Sequence, residues 1–334
     1  MAMQFGNGLI LDAFSVAFRL PNLARQLFGE GALSTAFLPV FIRDIEQHGK
    51  PTAFQTATAL MVALSAVLFG LVLALEIILL TIWWLIPLSS EATLLIGLMA
   101  TLIPYLMLVC LLAQVCAVMH GLSEFSIPAM FPVLLNACWI LCATIWAWMI
   151  PDSYQRIYVI SASIVCIGFL QLMLALRTLK RLQFQFQLNW QSSKDRVREI
   201  STIMIPVVIG LSITQFNTLL DSLIAWGLTQ PANPATTGWL DEYPLTDGTA
   251  SALYLGQRMY QFPLGVFGVA LGTVIFPLLA RHSEHKQYAL FQTDLLKGLR
   301  MVAAIAIPAS VGLWIIATPL TQTLFERGQF DAAD

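Results

Sequence analysis

The amino-acid sequence predicts an all-α polytopic membrane protein with about eight transmembrane helices. Hydrophobic residues make up 58% of the chain and charged residues only 11%, whereas a soluble domain averages about 25% charged residues. Apolar runs long enough to cross a bilayer as a helix, roughly 20 residues, recur along the whole chain. Lysine and arginine gather in alternate loops between these runs, which is typical of a polytopic protein.

Eight apolar runs follow one another as candidate spans. Span 1 is the longest, and at ~1.5 Å per residue it overruns a hydrocarbon core of about 30 Å. We expect Pro21 and the Gly29/Gly31 pair to bend it, because proline removes a backbone donor and clashes with the preceding turn. Spans 1 to 8 comprise residues 9–42, 55–84, 92–119, 129–150, 155–177, 197–228, 250–280 and 295–320.

Positive charge in the loops sets the orientation of these spans. Twelve Lys and Arg residues follow spans 1, 5 and 7 or open span 8, whereas the opposite side holds only Arg156 and Arg327. Because cytoplasmic loops carry the excess of Lys and Arg, we expect the loops after residues 42, 177 and 280 to be cytoplasmic. The twelve are Arg43, Lys50, Arg177, Lys180, Arg181, Lys194, Arg196, Arg198, Arg281, Lys286, Lys297 and Arg300.

An internal repeat relates span 1 to span 7. Residues 32–43 and 270–281 align at a constant offset of 238 and share Ala, Leu, Thr, Pro and Arg, five of twelve positions. Both segments end spans that run inward onto a basic loop, six helices apart. The pattern indicates a two-lobed arrangement of parallel six-helix repeats, which is known in transporters.

The repeat also predicts the domain organisation. Span 7 is preceded by span 6 in its half, whereas span 1 has no such partner, so we expect a fragment that lacks one N-terminal helix and the C-terminal helices. Residues 1–8 lack the basic start and apolar core of a cleavable signal peptide. The predicted domains are an N-terminal lobe at 1–180, a basic cytoplasmic linker at 181–196 and the start of a C-terminal lobe at 197–334.

Three arginines interrupt the apolar runs: Arg19, Arg25 and Arg258. A charge at membrane depth costs roughly 2.5–3.5 kcal/mol, so such residues face a protein interior or a water-filled cavity. Asp12, Arg19 and Glu30 fall on one stripe of span 1, which also fits a structural ion-pair ladder. In the absence of an enzyme motif, the cations indicate a cavity for an anion, and the arginine fork suits a diphosphate.

The remaining polar residues point to no cofactor or metal. Asp221 is a candidate ligand for a coupling ion such as Na⁺, with a plain interhelical hydrogen bond as the alternative. The five cysteines lie inside apolar runs as buried small side chains, and the four histidines lie in or beside loops without other ligands. A net charge of −2 gives no indication of nucleic-acid binding.

Two long motifs resemble the MurJ/MviN lipid II flippase family of the MOP transporter superfamily. Residues 12–34, DAFSVAFRLPNLARQLFGEGALS, are very similar to the second helix of that family, and residues 257–273, QRMYQFPLGVFGVALGT, to its eighth. Residues 126–129, SIPA, and 325–331, FERGQFD, also match. Gln26 departs from the family pattern, in which a second arginine is common at this position, and the family's first helix is absent from the chain.

The resemblance implies a flippase that moves the undecaprenyl-diphosphate-linked peptidoglycan precursor, lipid II, across the bacterial cytoplasmic (inner) membrane by alternating access. The family has fourteen helices, so this chain would contain helices two to nine. Substrate-binding residues would be the cavity cations Arg25 and Arg258, the matching acids Asp12 and Glu30, and Arg19. The expected partners are the lipid-linked precursor and membrane lipids, with no nucleic acid and a monomeric chain.

Three other functions are weighed against this one. A related exporter of lipid-linked polysaccharide or small molecules would share the fold, but arginines in both lobes favour a diphosphate over a cationic drug. A membrane enzyme such as a polyprenyl-phosphate sugar transferase needs acidic loop clusters that the cytoplasmic loops lack, so we expect no enzyme. A non-transporting membrane fragment is the third alternative.

Overall fold

The computed structural model describes residues 1–27, 33–229, 243–284, 286–328 and 330, which are helical almost throughout. Within these residues the chain forms eleven α-helices. This agrees with the all-α fold class that the apolar runs predict. The helices are α1 (Ala2–Phe5), α2 (Leu9–Ala24), α3 (Leu33–His48), α4 (Lys50–Leu85), α5 (Ser90–Gly121), α6 (Ser126–Met149), α7 (Ser153–Arg181), α8 (Trp190–Gly227), α9 (Thr249–Pro263), α10 (Val269–Glu284) and α11 (Tyr288–Phe325).

Five of these helices, α4 to α7 and α11, are long and apolar enough to cross a membrane. A sixth is α8 if its segments Trp190–Gly210 and Gln215–Gly227, which meet at 42°, form one span. The other two predicted spans, 9–42 and 250–280, each consist of two helices of 15 or 16 residues. The all-α polytopic prediction is therefore confirmed, with spans 1 and 7 interrupted.

Each of these two spans contains a π-helical turn, at matching places in the repeat. Residues 25–27 form the first π turn and Leu264–Gly268 the second. Under the repeat offset of 238, residues 25–27 correspond to residues 263–265, so the first π turn aligns with part of the second. Pro21 lies inside α2, which continues past it, and Gly29 and Gly31 lie outside the described residues. The repeat is thus supported by a backbone feature that the sequence alignment did not contain.

The chain divides into two compact units. The N-terminal unit is Gly8–Asp247, and the C-terminal unit combines Met1–Asn7 with Gly248–Asp334. Helix α8 packs against α2, α3 and α4 and so belongs to the N-terminal unit. The predicted lobes at 1–180 and 197–334 place α8 with the second half of the chain instead, and its role in a functional lobe stays a prediction.

Helices α5 and α7 form the closest pair in the N-terminal unit and fit together through two reciprocal glycine–tyrosine contacts. On Gly97 of α5, a Cβ atom would collide with the Tyr158 hydroxyl of α7. On Gly168 of α7, a Cβ atom would lie 2.7 Å from the Tyr105 ring of α5. Gly97 and Tyr105 of α5 meet Tyr158 and Gly168 of α7 in the same order along the chain, so the two helices run in the same direction.

These contacts predict unequal costs for two glycine substitutions. Gly168→Ala forces a methyl group against Tyr105, whose side chain is only 2% exposed and has no room to move, so we expect a loss of roughly 1–3 kcal/mol in the free energy of unfolding. Gly97→Ala meets the far end of the partly exposed Tyr158 and should cost less. Thermal unfolding of the detergent-solubilised chain measures both, and equal midpoints for the two variants would contradict this packing.

A buried carboxylate joins three helices at the basic end of the N-terminal unit. Asp44 of α3 is 1% exposed and accepts hydrogen bonds from Arg196 Nε of α8 at 2.7 Å and from Thr56 Oγ1 of α4 at 2.9 Å. Beside it, Arg43 of α3 and Glu199 of α8 form an ion pair of 2.8 Å whose side chains are 44% and 41% exposed. An arginine–carboxylate ion pair between α3 and α8 therefore occurs twice, once buried and once open to solvent.

Candidate functional site

Two of the predicted site charges are buried in the N-terminal unit. Asp12 of α2 is 0% exposed and Arg19, two turns later, is 7% exposed. Helix α2 packs mainly against α5 and α8, so both charges face protein. At membrane depth such burial requires compensation inside the protein, because an uncompensated ion in a low-dielectric medium is costly. Asp12 and Arg19 thus lie inside the unit and not on an open wall.

Arg25 begins the first π turn and is only partly buried. Its Nε donates to Asn22 Oδ1 at 3.2 Å, and its charge is within electrostatic range of Tyr105 on α5. The change from α to π register alters the helix hydrogen bonds, and the carbonyl of Ala24 accepts from the Cys110 thiol of α5 at 3.9 Å. The π turn therefore places a guanidinium where α2 and α5 meet.

Aromatic side chains cluster along α2 between Asp12 and Arg25. The sequence did not predict this cluster. Phe14 stacks on Phe18 with ring centroids 5.7 Å apart. Phe18 also lies 5.2 Å from Trp139 of α6 and 6.5 Å from Tyr105. The spacing of Phe14 and Phe18 by four residues indicates a shared helix face, but the approach of Trp139 across more than a hundred residues carries no local signal.

Arg258 of α9 is the exposed cation of the predicted set, and it belongs to the C-terminal unit. Its Nη2 donates to the Tyr254 hydroxyl at 2.8 Å, and the guanidinium carbon lies 5.0 Å from the Tyr254 ring centroid. A guanidinium has five N–H donors, so the tyrosine occupies one edge and fixes the side chain. Gln257, which the repeat pairs with Arg19, is buried like Arg19, at 9% exposure.

The C-terminal unit also contains an apolar groove of about 340 Å³ between the second π turn and α11. Leu264 and Phe267 line one side, Ile305 and Leu313 the other, and Tyr260 and Ser310 are the lining residues that carry a hydroxyl group. Arg258 is not part of this lining. The groove can hold an aliphatic chain, but it does not coincide with the predicted anion site.

The structure places Asp12 and Arg19 on α2, Arg25 in the π turn that directly follows it, and Arg258 in the other unit. Glu30 lies outside the described residues. Asp221 of α8 is exposed and accepts from Asn217 Nδ2 of the same helix at 3.3 Å. Across the described part of the chain, no group of three or more His, Cys, Asp or Glu residues is placed to hold a metal ion.

The sequence is similar to known flippases along its full length. The family model described as "Lipid II flippase MurJ" matches residues 1–334. A probable lipid II flippase MurJ of Rhizobium tropici is 31% identical over 341 residues, which cover 99% of this chain and 60% of the relative. The corresponding protein of Vibrio cholerae is 31% identical over 346 residues, with 100% and 62% covered.

The fold is similar to that of a solved structure of the same kind. A lipid II flippase MurJ in an inward closed conformation superposes with a TM-score of 0.72 at 21% identity, covering 99% of this chain and 64% of that one. The chain thus spans about three fifths of the length of the curated relatives that it matches. Its apolar helices make it a multi-pass membrane protein. Because the family model matches every residue, the chain belongs to the MurJ family of lipid II flippases.

Proposed function

We propose that this chain forms part of a transporter, not an enzyme, that moves lipid II across the bacterial cytoplasmic membrane by alternating access. The observation that carries the proposal is Arg258, an exposed guanidinium within a predicted span, held by Tyr254. A cation at membrane depth is costly unless it has a functional partner. The planar fork of arginine matches the oxygens of a diphosphate, the charged group of an undecaprenyl-linked precursor.

The other site residues take supporting roles in this proposal. Arg25, at the first π turn, provides the cation of the N-terminal half, braced by Asn22. Asp12 and Arg19 are buried and balance charge within α2, and Glu30 completes the acidic set. Asp221 is the candidate ligand for a coupling ion such as Na⁺. No cofactor is involved, and the chain acts as a monomer with its Lys- and Arg-rich loops in the cytoplasm.

The test is growth rescue by a longer protein. A chimera joins this chain to the segments of the Vibrio cholerae relative that lie outside the match, and it is expressed in cells depleted of their own lipid II flippase. We expect growth and normal cell shape to return, because the relative is 31% identical over the matched part. Exposure of lipid II on the outer leaflet, measured by accessibility to an added enzyme, should rise in parallel.

Two controls make this result specific. The added segments without this chain should fail to rescue, and the chimera should be present in the membrane at the level of the native flippase. A chimera that reaches the membrane but exposes no lipid II would contradict the proposed cargo. If it instead exported a lipid-linked polysaccharide, the related-exporter reading would replace it.

A further inference from the structure

Residues 182–190, which follow α7 and end at the first residue of α8, alternate apolar and polar side chains without interruption. Leu182, Phe184, Phe186, Leu188 and Trp190 occupy every second position, and the residues between them are three glutamines and an asparagine. A period of two is typical of an extended chain with one apolar face. We call residues 182–190 the alternating segment.

The alternating segment begins in a defined turn, and its residues 184–189 form neither helix nor strand. Gln183 has a positive φ of 61°, its N–H donates to the Lys180 carbonyl, and the Phe184 N–H donates to the Leu179 carbonyl, both at 3.1 Å. These two bonds form a Schellman motif that ends α7. Within the described residues, no strand pairs with the segment, so its backbone requires another hydrogen-bonding environment.

Both ends of the segment are fixed to α4. Phe184 is 4% exposed, and its ring centroid lies 4.5 Å from that of Phe54. At the other end, just inside α8, the Ser192 hydroxyl donates to Gln55 Oε1 at 3.1 Å. Between these anchors the apolar face turns outward, with Phe186, Leu188 and Trp190 exposed by 44%, 57% and 47%.

Positive charge flanks this apolar face. The sequence from 177 to 194 contains no Asp or Glu. It contains four cations, all exposed: Arg177, Lys180, Arg181 and Lys194. Helix α7 is a candidate membrane span, and α8 is another if its two bent segments form one span, so the segment joins two candidate span ends on the basic side of the protein.

We infer that the alternating segment lies in the headgroup layer of the bilayer and binds anionic phospholipid. Phe186, Leu188 and Trp190 insert toward the acyl chains, as aromatic residues do at membrane interfaces. The glutamines and the backbone of residues 185–188 face water, which the headgroup layer supplies and the hydrocarbon core does not. The four cations contact the phosphate groups of the anionic lipid. This assignment does not depend on the cargo of the transporter.

A scan with spin labels tests the insertion. Single cysteines at positions 185 to 190, in a full chain without its native cysteines, are labelled and reconstituted in bilayers of phosphatidylethanolamine and phosphatidylglycerol. We expect labels at 186, 188 and 190 to collide mainly with dissolved oxygen, and labels at 185, 187 and 189 mainly with a water-soluble nickel chelate. Uniform exposure to the chelate, or spin–spin broadening that reveals contact between two copies, would overturn the inference.

A second measurement tests the preference for anionic lipid. The immersion of a label at 188 is followed as phosphatidylglycerol replaces phosphatidylcholine, in the unmodified background and in Lys180→Gln/Lys194→Gln. Each cation near a charged surface accounts for about a fivefold change in binding, so the variant should need at least fivefold more phosphatidylglycerol for half-maximal immersion. The exposed pair Lys297→Gln/Arg300→Gln in α11 serves as the matched control and should leave the midpoint in place. Identical midpoints for both variants would overturn the anionic-lipid assignment.

Discussion

Transport by the chimera is expected to be lost in Arg258→Ala and to be weak in Arg258→Lys. Lysine keeps the charge but not the planar fork that donates to two phosphate oxygens at once. A hydrogen bond to a charged group contributes roughly 1.5–3 kcal/mol, so the loss of one such bond should weaken diphosphate binding by about ten- to a hundredfold. The measurement is lipid II exposure on the outer leaflet at matched amounts of membrane-inserted protein.

Three variants show whether Arg258 contacts the cargo. Arg300→Ala removes an exposed arginine from the same unit and should leave transport unchanged. Tyr254→Phe removes the hydroxyl that accepts from Arg258 but keeps the ring below the guanidinium, so its effect should be intermediate. Full transport in Arg258→Ala, at a normal level of membrane-inserted protein, would contradict the proposed contact between this arginine and the cargo.

The free energy of unfolding is expected to fall by about 3–5 kcal/mol in Arg196→Ala, because the change removes the arginine that pairs with the buried Asp44 carboxylate at 2.7 Å, whereas the His48 imidazole stays farther away, with Nδ1 3.7 Å from Asp44 Oδ1. Asp44→Ala should cost less, since the Arg196 side chain is 23% exposed and can turn toward water. The Thr56 hydroxyl still donates to Asp44 in the first variant but does not neutralise it. Thermal unfolding of the detergent-solubilised chain, followed by helical circular dichroism, gives the order of the losses.

The neighbouring ion pair provides the matched control. Arg43 and Glu199 join the same two helices at nearly the same distance, 2.8 Å against 2.7 Å, but both side chains are more than 40% exposed. An exposed pair contributes about 0–1 kcal/mol, so Arg43→Ala should hardly change the midpoint. Equal losses for Arg43→Ala and Arg196→Ala would show that burial does not determine the strength of this contact.

Much of the fold follows from features that are local in sequence. Apolar length predicts α4 to α7 and α11 as spans, because each contains a long apolar stretch with few charged residues. The π turns at 25–27 and Leu264–Gly268 were not predicted. A π turn inserts one residue into the helix register and depends on packing around it, whereas Pro21, the obvious local signal, lies within continuous helix.

The candidate site residues could be selected from the sequence, but their surroundings could not. Arg19, Arg25 and Arg258 stand out because a charge in an apolar run is costly. Helical periodicity places Asp12 and Arg19 on one stripe, but it does not say what lies opposite. In the structure both are buried and Arg258 is exposed, a difference that arises from helices distant in sequence. Trp139 joins Phe18 for the same reason.

The glycine–tyrosine contacts between α5 and α7 have a mechanical consequence. A slide of one helix past the other by a full turn, about 5.4 Å, would force Tyr105 and Tyr158 out of their glycine notches together. Because both contacts would have to break together, the α5–α7 pair resists sliding. We therefore expect changes of shape in the N-terminal unit to come from movements of other helices relative to the α5–α7 pair. Helix α2 packs along α5 and gives way to π register at residues 25–27, so Arg25 lies where the helix beside this pair departs from α-helical geometry.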